Sequence, residues 1–169
     1  MTVIEGFVGK SRIKPEEREA LLNNIPQSGF FIEVGTFHGV SVAYWAKHRP
    51  KVLFISIDPF VGEANISYWL KNSQPNNRLL VGTVRDLSHP SPLRFLQRAI
   101  WFVDGSHTKE DCLLDLETAT DLNASQIWVH DYISTSLGGV KAAVDRFVRK
   151  GRFNIDRMVG TTVFLKKDE

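Results

Sequence analysis

The chain has 169 residues, a mass of 19.1 kDa, 43% hydrophobic and 24% charged residues, values that exclude a disordered chain and allow about 70% of the unfolded surface to be buried. A net charge of +2 without any basic run gives no phosphate-backbone footprint, so nucleic acid is not implied as a partner. No apolar stretch approaches the ~18 residues of a membrane span, the start has no leader-like pattern, and the lone Cys112 reads as a buried thiol, so a soluble cytoplasmic protein is expected.

Residues 1–13 form an apolar-containing arm that either packs on the domain or lies over a site; the sequence does not choose. Pro15, Glu16 and Glu17 open a helix whose apolar side is Ala20, Leu21, Leu22 and Ile25, and Pro26 stops it. Phe30, Phe31, Ile32 and Val34 then make a strand interrupted by Glu33. Gly35 and Gly39 allow a tight turn and close approach of a ligand, before a helix over about 40–47. A second strand, 52–57, ends at Asp58, followed by a helix over 64–71 and a third strand over 78–84. A short helix over 91–97 leads to a strand over 99–103 ending at Asp104. Thr108 caps a helix running to about 122, and a strand over 126–129 closes at His130-Asp131-Tyr132. A helix from Gly138 to about 150, with Gly151 as its cap, precedes two strands joined too tightly for a helical crossover, which must pair antiparallel. The alternation predicts an α/β, doubly wound, mainly parallel sheet in a single domain, residues 1–169, with the arm and first helix over 1–27.

Glu33, Asp58, Asp104 and Asp131 all fall at or near the carboxyl ends of strands, the edge where open sheets of this class bind ligands. Four apolar strands closing on acids point to one cause, a ligand. Asp58 follows Gly35 by 23 positions, close to the spacing at which an acid takes a ribose diol. The turn lacks G-x-G-x-x-G, and Glu33 and Asp104 would repel a pyrophosphate but attract a nucleoside carrying positive charge. S-adenosylmethionine has that chemistry: a ribose, no phosphate, a sulfonium and an ammonium.

These stretches resemble the class I S-adenosylmethionine-dependent methyltransferases, and within them the small-molecule O-methyltransferase-like group that includes macrolide-sugar methyltransferases and cephalosporin hydroxylase-like proteins. The similar segments are Glu33-Val34-Gly35-Thr36 with Gly39 and Ser41, Asp58, Val103-Asp104-Gly105-Ser106-His107, Val129-His130-Asp131-Tyr132, and Gly139-Val140-Lys141-Ala142-Ala143-Val144. The resemblance implies a Rossmann-like seven-stranded sheet of order 3-2-1-4-5-7-6 with strand 7 antiparallel. It implies that Gly35, Thr36 and Ser41 cradle the methionine end and that Asp58 takes the ribose, with Thr83 or Arg85 near the adenine. In metal-dependent members the acids after strands four and five bind magnesium, and Asp104 and Asp131 hold those positions. Tyr132 stands where such members often have another acid, so magnesium and its absence both stay open.

His107, three residues after Asp104 and just before a helix, is the candidate base for removing the acceptor's proton, with a helix-capping histidine as the alternative. If strand five is regular to its end, His130 and Asp131 point to opposite faces, and Asp131 is the one expected to face the ligand. The four tryptophans are read as core. The expected function is methyl transfer to a hydroxyl of a small metabolite. The alternatives are a non-catalytic S-adenosylmethionine-binding or scaffold protein of the same fold and, disfavoured by the glycine spacing, a nicotinamide-dependent oxidoreductase. Self-association into a homo-oligomer stays open.

Overall fold

The apolar runs that carry the strand-end acids become buried strands in the computed structural model, which describes residues 1–61, 66–87, 97–134, 136 and 138–167. The seven strands form one sheet of order β3-β2-β1-β4-β5-β7-β6, as expected. The chain divides into two compact units between Thr83 and Val84.

The first unit holds the arm, α1 (Pro15–Asn24), β1 (Gly29–Val34), α2 (Val40–His48), β2 (Val52–Asp58), α3 (Ile66–Asn72) and β3 (Asn77–Val81). Strands β1, β2 and β3 are parallel, and the register sets Glu33 opposite Ser56 and Asp58 opposite Val81. Phe31, at the centre of this core, packs edge-on against Trp45 with ring centroids 5.7 Å apart and against Phe54 at 5.3 Å. Such aromatic contacts add roughly 0.5–1.5 kcal/mol each beyond area burial. The arm packs on the domain. Thr2 and Ser11 exchange backbone hydrogen bonds of 2.8 Å, closing residues 2–11 into a loop whose Phe7 ring meets Tyr44 of α2 edge-on at 6.3 Å.

The second unit opens with a 3-10 turn (Val84–Leu87) and contains β4 (Ile100–Val103), α4 (Lys109–Asp121), β5 (Gln126–Val129), α5 (Gly138–Val148), β6 (Phe153–Val159) and β7 (Thr162–Lys167). Strands β4 and β5 are parallel, whereas β7 runs antiparallel to both β5 and β6. Thr108 caps α4, its hydroxyl accepting from the Asp111 N–H at 3.2 Å. Val140, Ala143, Val144 and Phe147 form the buried stripe of α5, and Gly151 ends its last turn at φ 75°. All four tryptophans are buried, as is Cys112.

One local expectation fails. Strand β5 stops at Val129, so the alternation does not extend to His130 and Asp131. The His130 N–H still bonds Val103 O at 3.0 Å, but Asp131 turns to φ 60° and the Tyr132 N–H bonds Thr161 O. A left-handed residue directly after the strand cancels the alternation, and both side chains turn to one cluster. Most of the helix expected over 91–97, the start of that over 64–71, and residues 135 and 137 between the fifth strand and the last helix lie outside the described residues. No described helix is long and apolar enough to cross a membrane.

Candidate functional site

In the first unit the site is built on the turn between β1 and α2. Gly35 takes φ 84° and donates its N–H to Ile57 O at 2.9 Å, which ties the turn to the end of β2. Asp58 then staples it. One carboxylate oxygen accepts the Thr36 and Phe37 N–H groups at 2.9 and 2.8 Å, and the other accepts the Phe60 N–H at 2.6 Å. These charge-assisted bonds explain how an acid only 6% exposed is tolerated. An ionised carboxylate has about four acceptor positions, so one remains on the oxygen that meets Phe60.

Around this staple Glu33, Gly39 and Ser41 meet groups of the protein itself. Glu33 is buried and accepts the Ser56 hydroxyl at 3.2 Å across the β1–β2 pair. Gly39 takes φ 70° as it enters α2, and a Cβ there would clash with the Trp69 indole. Its small size therefore admits Trp69. The Ser41 hydroxyl, buried, lies 2.6 Å from that of Ser11. Thr36 is 6% exposed, and its hydroxyl is buried without a hydrogen-bond partner among the described residues. Thr83, the last residue of this unit, is exposed.

The arm is the part of this region that the sequence did not place. Besides the Ser11–Ser41 contact, Asn72 exchanges two hydrogen bonds of 2.7 Å with the Val8 backbone, and the Lys10 N–H bonds His38 Nδ1 at 3.2 Å. The Arg12 guanidinium lies 4.7 Å over the Phe37 ring, which stacks on His38 at 3.8 Å. Phe37 itself holds φ 54°, an uncommon conformation for a bulky residue. Residues 2–13 mix apolar and polar side chains with neither a helix nor a strand period, which is why no sequence pattern announced these contacts.

In the second unit Asp104, His107, His130 and Asp131 form one cluster. Buried His130 places Nδ1 3.0 Å from an Asp104 oxygen and 3.3 Å from one of Asp131. It thus has carboxylate partners on both sides. His107 Nε2 stands 3.2 Å from the same Asp131 oxygen, at ion-pair distance but off the line of a hydrogen bond. Beside Asp131, the His107 imidazole keeps its proton above its ordinary range, although partial burial opposes this. Reciprocally His107, and then His130, hold the Asp131 carboxyl far below the usual carboxylate range.

Backbone packing fixes His107 in place. A Cβ on Gly139, in the first turn of α5, would collide with the His107 carbonyl oxygen. On the other side, Asp111 accepts from Ser106 and Thr108 hydroxyls at 2.9 Å each and pairs with Arg85 at 2.8 Å, anchoring the 3-10 turn to the start of α4. Asp104, His107 and Asp131 offer donor atoms within 4.8 Å of one another, a set compatible with a divalent cation.

A search of curated proteins finds no match to the sequence. Similar folds occur in a candidate caffeoyl-CoA O-methyltransferase from Staphylococcus aureus (11% identity, 94% of this chain and 86% of that one, TM-score 0.72). They also occur in the O-methyltransferase from Bacillus cereus in complex with SAH (15%, 93% and 82%, 0.64). The aminoglycoside resistance methyltransferase NpmB1 is a third (17%, 89% and 93%, 0.55). The sheet order, the glycine turn stapled by the acid of β2, and the acids after β4 and β5 agree with a sequence match to the methyltransferase domain over residues 32–132, and the chain belongs to that family, among the class I S-adenosylmethionine-dependent methyltransferases.

Proposed function

We propose that this protein transfers a methyl group from S-adenosylmethionine to a hydroxyl of a small metabolite. The observation that carries the reading is the Asp131–His107 pair beside Asp104. The cofactor, when bound, supplies a methyl group already activated by its sulfonium. What the chain must add is alignment and a base for the acceptor's proton. With Nε2 of His107 beside Asp131, Nδ1, which has no partner among the described residues, is the atom that takes that proton, and Asp131 stabilises the resulting imidazolium. Asp58, through its spare acceptor position, and the turn from Gly35 to Ser41 are the residues that would hold the ribose and methionine ends. The unpartnered Thr36 hydroxyl fits such a role. Thr83 is kept for the adenine side.

A magnesium ion is a second element of the same reading, held by Asp104 and Asp131 with His107 beside them. It would orient the acceptor hydroxyl and lower its pKa. His130 Nδ1 already contacts both carboxylates, so the protein has a metal-free arrangement as well.

The test is methyl transfer from labelled S-adenosylmethionine to a panel of sugars, catechols and phenols, with magnesium and with chelator. Product that disappears in His107→Ala supports the reading. A His107→Ala variant with unchanged turnover removes His107 from the mechanism. Loss of turnover on chelation assigns the ion, and unchanged turnover assigns the chemistry to the His107–Asp131 pair alone. Tight S-adenosylhomocysteine binding without transfer to any compound would favour a non-catalytic binding protein.

A further inference from the structure

We infer that Ser11, on the amino-terminal arm, is a positioning residue for the cofactor turn: it takes the Ser41 hydroxyl proton, so that Ser41 offers only lone pairs and receives the ammonium of the methionine end. This rests on the cofactor reading above.

The hydrogen-bond capacity of the two hydroxyls fixes the direction. Their oxygens lie 2.6 Å apart, a separation that requires a proton between them. Ser11 Oγ also accepts the Ile13 N–H at 3.1 Å and faces Ile13 O at 3.3 Å. If Ser41 donates, Ser11 accepts twice and passes its own proton to Ile13 O, which uses its one donor and two acceptors in full. If Ser11 donates instead, the Ser41 proton has no acceptor among the described residues, on a residue only 8% exposed. A buried donor left without a partner is the costlier arrangement, so Ser41 donates to Ser11 and turns acceptor positions to its surroundings.

The charge of the turn favours the same end of the ligand. An ammonium brought there lies near Asp58, which is bound to the Thr36 and Phe37 N–H groups, with Glu33 two residues before Gly35. Backbone donors that would suit a carboxylate are already engaged: those of Thr36 and Phe37 serve Asp58, and the Gly39 N–H bonds Thr36 O at 2.8 Å. The Thr36 hydroxyl, buried and unpartnered among the described residues, has a proton to give and suits the carboxylate of the same amino-acid group.

The arm's fastening makes Ser11 a fixed part of this region. Ser11 is buried, and its backbone exchanges hydrogen bonds with Thr2. The Asn72 amide exchanges two bonds of 2.7 Å with the Val8 backbone and also donates to His38 O at 3.1 Å, so a single side chain of α3 ties the arm to the turn. A serine held this firmly against one hydroxyl acts through it.

The experiment is titration calorimetry on wild type, Ser11→Ala, Ser41→Ala and the double variant. Three ligands are compared: S-adenosylhomocysteine, its analogue lacking the amino group, and its analogue lacking the carboxylate. Ser11→Ala is expected to weaken the two amine-bearing ligands by about 3- to 10-fold and to leave the deaminated one within about twofold. Added to Ser41→Ala, it should change nothing further, because the two residues work as one unit. A loss confined to the carboxylate-bearing ligands reverses the polarity and overturns the proposal. So does an equal loss for all three, a loss for none, or additive losses in the double variant. Each of these leaves the cofactor reading standing, since wild type still binds S-adenosylhomocysteine, whereas a wild type that binds none of the three overturns both. Should Ser11→Ala melt below wild type, Ser11→Cys, which keeps the shape of the side chain but accepts weakly, carries the same comparison.

Discussion

His107 Nε2 and Asp131 Oδ2 lie 3.2 Å apart, with His130 Nδ1 3.3 Å from the same oxygen, so one carboxylate serves two imidazoles. The arrangement sets the pH dependence of any base chemistry. Asp131 favours the protonated imidazole, so neutral His107 forms only above its ordinary range near 6.5. In chelator, the acid limb of kcat/KM should therefore lie above pH 6.5 and move downward in Asp131→Asn. His107→Ala should cost about 10²- to 10⁴-fold in kcat with S-adenosylhomocysteine affinity retained. A limb that stays in place when Asp131 is neutralised would mean that another group limits the rate.

Asp58 is expected to be both structural and ligand-facing. Asp58→Ala leaves the Thr36, Phe37 and Phe60 N–H groups without an acceptor. The cost should be about 2–4 kcal/mol, allowing for water reaching some of them. Urea unfolding measures it, and a midpoint equal to wild type would show that the turn stands without its staple.

Adjacent glycines at the start of α5 give an internal control. A methyl group on Gly138 meets nothing among the described residues within 4 Å, whereas one on Gly139 runs into the backbone of His107 and Lys109. Gly138→Ala should be neutral or slightly stabilising. Gly139→Ala should destabilise by about 1–3 kcal/mol and lower turnover by shifting His107. Equal thermal shifts in the two variants would contradict this packing.

Burial pushes the Asp115 carboxyl on α4 up to about 7, with Asp111 adding to the effect and Arg85 opposing it. The folded value exceeds the unfolded one near 3.9, so the native state holds the extra proton and stability falls as pH rises from about 4 to 7. Asp115→Asn removes this dependence. Its stability relative to wild type should therefore improve by on the order of 3 kcal/mol between pH 5 and pH 8, which differential scanning calorimetry at the two pH values would show. A relative Tm independent of pH would place the charge elsewhere.

The sequence carried the sheet well because the inner strands β1, β2, β4 and β5 are dominated by apolar residues and carry or run into an acid, and because the tight connection at Gly160 permits only an antiparallel pair. It carried the cluster of Asp104, His107 and Asp131 through motif spacing. It did not carry His130, since the break in alternation depends on the positive φ of Asp131, a tertiary outcome of the bond from Tyr132 to Thr161. Nor did it carry the contacts of the arm. Ser11 and Ser41 are 30 residues apart, and two serines announce no partnership. Gly39 shows a third limit: the glycine was legible, but whether its missing side chain admits a ligand or Trp69 was not.

Cys112, the only cysteine, is buried in α4 with its thiol pushed up to about 12 by burial, with the charge of Asp115 adding to it. A thiol in that state is neither accessible nor ionised, so alkylating reagents can reach it only when α4 leaves its place. The protein thus carries a natural clock for opening of its second unit. The rate at which a maleimide labels it, with and without S-adenosylhomocysteine, would report whether ligand binding stills the helix that follows His107, without any engineered probe.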